Sequence, residues 1–205
     1  MQYIPTGPGG QIQVPATIER YQKAPNLVAN VYHTATYTIA DGFDGTKAWS
    51  QNAQGRVTEP LAIDQNRAKR DSDFYLPLDL KQQYAKLDVQ GIERVNGRDA
   101  YVVVGTAAGD LPERLYFDTQ SGLLLRKATA LPTFAGNSPS QVDYSDYRDT
   151  GSGTKFPYTI TSNPANPRTV LYGIAVFQVT KVEDNKPIDD AKIGRPASPA
   201  APPAR

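Results

Sequence analysis

Cysteine is absent from the 205 residues, and histidine, methionine and tryptophan each occur once. The missing thiols exclude disulfides, thiolate metal sites, covalent haem attachment within this chain and a cysteine nucleophile, without fixing a compartment. His33 would have to serve any Ser-His-Asp arrangement, and no Gly-x-Ser-x-Gly elbow accompanies it. A metal would be left with carboxylates. Of these, Asp41 and Asp44 sit in turn sequence, while Asp143, Asp146 and Asp149 lie along one expected strand whose neighbours alternate faces. Charge of one sign is missing as well: 22 Lys and Arg balance 21 Asp and Glu for a formal +1. With no basic run, nothing draws a phosphate backbone, and nucleic acid is not expected as a partner. No apolar run approaches ~18 residues, so no membrane span is expected. Met1–Pro5 carries neither the basic nor the apolar region of a signal peptide. No cofactor is expected.

What is present is strand sequence. Leu115–Lys127 places two apolar runs around Asp118-Thr-Gln-Ser-Gly122, turn chemistry that folds a strand back on its neighbour. Both faces of each arm are apolar: Leu115 and Phe117 oppose Tyr116, and Leu123 and Leu125 oppose Leu124. A strand wet on one side alternates apolar with polar, so this sheet is expected to be covered on one face and partly enclosed on the other.

Other segments repeat the theme. Gln11–Val14, Thr17–Tyr21, Leu27–Ile39 and Thr46–Ser50 read as strands, with Asp41–Gly45 as a double turn signal. Glu59–Lys86 is charged and poor in β-branched residues, which predicts helices over roughly 60–72 and 78–84. Strands then return at Leu87–Val95, Ala100–Thr106, Glu113–Asp118, Leu123–Ala130, Gln141–Asp149, Lys155–Thr161 and Val170–Val182, with Asn96-Gly97 a strong hairpin signal. Short loops between successive strands predict an antiparallel meander, and so a mainly β fold: a curved, unclosed sheet covered by one to three short helices. Residues 1–10 read as a flexible lead-in, 11–193 as a single domain, and 194–205 as a Pro/Ala-rich disordered tail.

Two motifs suggest catalysis and fail on chemistry. Asp149-Thr-Gly-Ser152 matches the aspartic-protease tetrad, but such a site needs two carboxylates sharing a proton and only one copy exists. Gly151-Ser-Gly-Thr-Lys155 lacks the residue order of a phosphate-binding loop. Both read as a hairpin turn, and no enzymatic activity is expected.

Three stretches carry a resemblance: Gly42-Phe-Asp-Gly-Thr-Lys-Ala-Trp49, Tyr116–Arg126, and Val142–Tyr147 followed by Phe156-Pro-Tyr158. Together, in this order, they resemble the LolA/LppX-like envelope proteins, most closely the branch found alone or following a c-type cytochrome domain. The likeness spans roughly residues 12–182. It implies an open half-barrel in the periplasm or cell envelope whose concave face, roofed by helices, holds an acyl chain or another lipophilic small molecule. The arginine and aromatic set that serves lipoprotein escort has no aligned counterpart here, so a dedicated lipoprotein chaperone is not implied. On this reading Phe43, Trp49, Phe74, Tyr75, Tyr116, Phe117, Leu124, Tyr144 and Tyr147 line the ligand site, where they would otherwise be core and cross-strand pairs. The alternative is a protein partner in the envelope, the chain being an accessory module of a larger envelope or electron-transfer complex with a filled core.

Overall fold

The computed structural model describes residues 2–6, 16–133, 136–164 and 174–198. In chain order they form β1 (Gln2–Thr6), β2 (Ala16–Lys23), β3 (Leu27–His33), β4 (Thr38–Asp44), β5 (Ala48–Gln51), β6 (Val57–Thr58), α1 (Ala62–Asp71), α2 (Leu80–Gln83), β7 (Lys86–Val95), β8 (Arg98–Thr106), β9 (Glu113–Asp118), β10 (Leu124–Thr133), β11 (Gly136–Asp149), β12 (Lys155–Pro164), β13 (Ile174–Gln178) and α3 (Asp190–Ile193). The fold class is the one expected: mainly β, with antiparallel pairing, three short helices and, among the described residues, no sheet closed into a barrel. No helix among them is long and apolar enough to cross a membrane.

Contacts divide the chain into two compact units, one holding β1 and β7–β13, the other β2–β6, α1 and α3. The stretch read as one domain, residues 11–193, contributes to both. In the first unit the strand order β1-β13-β12-β11-β10-β9-β8-β7 is the meander that the short loops predict, with β1 pairing β13. In the second the order is β6-β5-β4-β3-β2.

Several boundaries differ from the sequence reading. Gln2–Thr6, placed in a loose lead-in, is strand β1: the glycines begin only after it, and Tyr3 and Ile4 favour extended backbone. Gln11–Val14 lies outside the described residues, as do 170–173 of the last expected strand. Leu27–Ile39 is not one strand but two, because Thr34 makes a turn. Its Oγ1 donates to the Tyr37 carbonyl and accepts from the Thr36 and Tyr37 amides, so threonines that favour strands by propensity here close a hairpin. Asp41-Gly42 is not a turn but the middle of β4. A methyl group at Gly42 would come within 2.7 Å of the Trp49 ring, so close packing fixes this glycine.

Part of the expected tail is held in place. Asp189 caps α3 by accepting the Ala191 amide at 2.9 Å, and Ile193 is buried with Ala29, Ala40 and Trp49. Arg195 pairs with Glu59 at 2.8 Å and Ser198 Oγ accepts the Val57 amide at 3.1 Å. Residues 199–205 lie outside the described part.

Candidate functional site

Register assigns the residues of the first unit to two faces. Val95, Ala100, Val102, Tyr116 and Leu125 form a buried cluster on one of them, and burial of each large member contributes about 1.5–3 kcal/mol. Three ion pairs share this face. Arg126 donates to both oxygens of Asp143, at 2.6 and 2.7 Å, and Arg98 to both oxygens of Asp118, at 3.1 and 2.7 Å. Arg114 reaches Glu93 at 2.5 Å and the Tyr116 hydroxyl at 3.0 Å. Burial pushes the Asp143 carboxyl up, but hydrogen bonds from Arg126, Asn96 and Gln141 outweigh it and hold the group below the usual carboxylate range. The Ser121 hydroxyl lowers Asp118 against its burial, and the Ser121 amide and Arg98 lower it further. We refer to this as the arginine face.

The opposite face is apolar. One cross-strand row runs Ile92, Tyr101, Phe117, Leu124 over β7 to β10. A second, about 7 Å along the strands, runs Val89, Val103, Leu115, Lys127, Val142 over β7 to β11. Val89 and Ile92 are three residues apart yet share the face because the register shifts between Val89 and Gly91. Gly91 takes φ +130°, a conformation that other residues rarely adopt, to make this bulge. Val89, Ile92 and Tyr101 are 69, 59 and 46 % exposed.

Beside the second row, two residues from Leu115 along β9, this face turns polar. Glu113, fully buried, accepts a hydrogen bond from the Tyr84 hydroxyl at 2.6 Å and pairs with Lys127 Nζ at 3.2 Å. The Tyr84 ring lies on Gly105, where a methyl group would sit 2.6 Å from it. Two residues beyond Lys127 on the same face of β10, the buried Thr129 hydroxyl has no hydrogen-bond partner among the described residues. The Lys127 side chain is 18 % exposed and that of Glu113 0 %.

The nine residues expected to line a ligand site are divided between the two units. In the second unit Trp49 is buried with Ala29, Ala40 and Ile193. Phe43 is also buried, on the opposite face of that sheet, because Gly42 pairs with Trp49 and Phe43 with Ala48. Phe74 and Tyr75 make an exposed edge-to-face pair at 5.4 Å. In the first unit Tyr116 belongs to the arginine face. Phe117, Leu124 and, by register against Ile160, Tyr144 belong to the apolar face. Tyr147 donates its hydroxyl to the Leu124 carbonyl at 2.7 Å, and its phenol is pushed up by burial and then by Tyr144.

Val89, Ile92, Tyr101, Val103, Glu113 and Lys127 were not singled out from the sequence. A glycine inside the expected strand Leu87–Val95 was the available signal for a bulge there.

The other candidates resolve into local structure. Asp149 Oδ1 accepts the Gly151 and Gly153 amides, and Thr150 and Ser152 donate to Asp184, so the tetrad is a capped hairpin turn. Asp44 caps its own turn through Thr46 and Lys47. His33 Nδ1 lies 3.2 Å from Thr38 Oγ1 beside the Thr34–Tyr37 turn.

No family model matches the chain, and no curated protein matches it by sequence. Solved structures do. A LolA superfamily protein from Nitrosomonas europaea superposes with a TM-score of 0.62 at 13% identity, over 95% of this chain and 87% of that one. A DUF1329 family protein from Desulfovibrio piger gives 0.59 at 13%, over 92% and 85%. An outer membrane lipoprotein-sorting protein domain from Vibrio parahaemolyticus gives 0.53 at 12%, over 90% and 85%. The chain has a LolA-like fold.

Proposed function

We propose that the protein is a non-enzymatic binding protein of the cell envelope that holds an acyl chain or another lipophilic molecule on the apolar face of β7–β11. The observation that carries this reading is the pair of cross-strand rows on that face, with Val89, Ile92 and Tyr101 largely exposed. Covering such a surface with hydrocarbon contributes about 0.8 kcal/mol per CH₂, so a long chain is held without a charged anchor. The envelope location is supported by the likeness to an outer membrane lipoprotein-sorting protein domain.

Gently purified protein, examined by native mass spectrometry, is expected to carry a co-purifying lipid. The delipidated protein is expected to bind a neutral naphthylamine probe that fluoresces in apolar surroundings. Val89→Asp together with Ile92→Asp abolishes probe binding while the thermal midpoint stays near that of the parent, since both residues are exposed. Absence of both lipid and probe binding overturns the reading.

A further inference from the structure

From the way the C-terminal segment is held we infer that residues 186–198 are an exchangeable strap, and that the Trp49 face of β2–β6 is a docking surface for the strap of a second copy of this chain. The binding function proposed above uses none of these residues.

In register, Tyr21, Ala29, Gly42 and Trp49 form one row across β2 to β5. Gly42 has no side chain to push the indole away, so the row is a flat apolar floor, with Ala40 buried beside it. All of these residues precede the strap by well over a hundred positions in the chain. The floor is therefore the same whether the strap that covers it belongs to this chain or to another.

The strap sits on this floor by side chains. Among the described residues it adds no strand to the sheet, and its one helix, α3, has four residues, far too few to hold by itself. Ile193 is its one buried side chain, packed on Ala29, Ala40 and Trp49 with Ile188 alongside. Around that anchor the charges match: Asp190 meets Lys23 at 3.4 Å, Arg195 meets Glu59 at 2.8 Å, and Lys192 lies over the Tyr21 ring at 5.5 Å. Exposed pairs of this kind add little to stability, but they select which segment docks and in which direction it runs.

A short hinge leads to it. Asp184 accepts hydrogen bonds from Thr150 and Ser152 in the first unit, and Ile188 is already packed in the second. Asn185, Lys186 and Pro187 alone make the crossing. Asn185 does so at φ +56°, in the left-handed region that residues with a side chain seldom adopt. Short hinges under strain invite exchange. A strap that docks on a second copy keeps every contact listed for the floor and lets Asn185 extend, and two copies that exchange in both directions close into a two-fold dimer.

Trp49 is the only tryptophan, so its fluorescence reports the cover on the floor. In the full chain, Ile193→Asp puts a charge where the strap is anchored. Its emission is expected to shift to the red and its quenching by acrylamide to rise severalfold, while far-ultraviolet circular dichroism stays that of the parent. A synthetic peptide of residues 186–198 restores the parent emission, and the same peptide carrying Ile193→Asp does not. Exchange is read by light scattering after refolding at high concentration, where the parent gives a dimer fraction with the emission of the monomer. Asn185→Gly accepts the positive φ freely and lowers that fraction severalfold; Asn185→Val resists it and raises the fraction.

Parent-like emission and quenching in Ile193→Asp overturn the inference, as does a peptide that leaves the emission of this variant unchanged. The hinge variants decide independently of whether Ile193→Asp folds, because Asn185 is exposed. A parent that stays monomeric after refolding at every concentration, or a dimer fraction equal in the parent and both Asn185 variants, overturns it too.

Discussion

The two faces of β7–β10 handle hydrocarbon in opposite ways. On the arginine face hydrocarbon is inside and the arginines reach out: Val95, Ala100 and Val102 are at most 1 % exposed, Arg98 and Arg114 reach solvent around them, and Asp118 is buried against Arg98. On the apolar face the arrangement is inverted, with Val89, Ile92 and Tyr101 in the open and Glu113 fully buried. The first is what stability alone asks of a sheet wet on one side. The second leaves apolar area uncovered, which stability does not favour. The inverted face is therefore the one on which the proposed ligand is placed.

Paired truncations break the comparison most sharply. Leu125→Ala on the arginine face removes a buried side chain from a packed cluster and should cost about 3 kcal/mol in denaturant unfolding. Ile92→Ala on the other face should stay within about 0.5 kcal/mol while weakening the naphthylamine probe. Equal costs would mean that the apolar face is core, and the inversion would disappear.

Gly105→Ala comes next. Its new methyl group would lie 2.6 Å from the Tyr84 ring, so the ring has to move, at about 1–3 kcal/mol. With Tyr84 displaced, the Glu113 carboxylate loses a donor, and quenching of tyrosine fluorescence by a small neutral quencher should rise. If stability and quenching both match the parent, the polar end of the apolar face is not closed by Tyr84.

Acid should act through the arginine face. Asp118 and Asp143 both ionise below the usual carboxylate range in the folded protein. Their contribution to stability is complete above the unfolded carboxylate value near pH 4, and is lost as pH falls through the lower folded values. The thermal midpoint should therefore drop below about pH 4, and Asp143→Asn should flatten that limb while lowering the plateau at pH 7. An acid limb in both Asp118→Asn and Asp143→Asn unchanged from that of the parent would remove these pairs as its source.

How much of this was legible in the sequence follows from how local each signal is. The hairpins at Asn96-Gly97 and Asp118–Gly122 were readable because turn residues and alternation occur within a few positions of each other. The split of Leu115 and Phe117 from Tyr116 was readable for the same reason, since strand geometry forces it. The partnership of Val89 with Ile92 was hidden by a bulge, which breaks period-2 counting by one residue. The Glu113–Lys127 pair was hidden because only register brings together residues on two strands. Phe43 and Trp49 were grouped as aromatics close in sequence, and the pairing of Gly42 with Trp49 sends them to opposite faces.

The smallest expected effect separates the three ion pairs of the arginine face from one another. Arg126 and Asp143 are 20 and 17 % exposed, whereas Arg114 and Glu93 are 40 and 52 % exposed. Water screens the second pair, and two long side chains lose freedom to make it, so Glu93→Gln should change stability by less than about 0.5 kcal/mol. Arg114 keeps its bond to the Tyr116 hydroxyl and its place over that ring in either case. Raising salt to 1 M should erase even this difference while leaving the cost of Asp143→Asn largely intact, because screening reaches exposed charges far more than half-buried ones. A salt response of equal size in both variants would show that exposure does not rank these pairs, and that the charge on this face acts as one collective field.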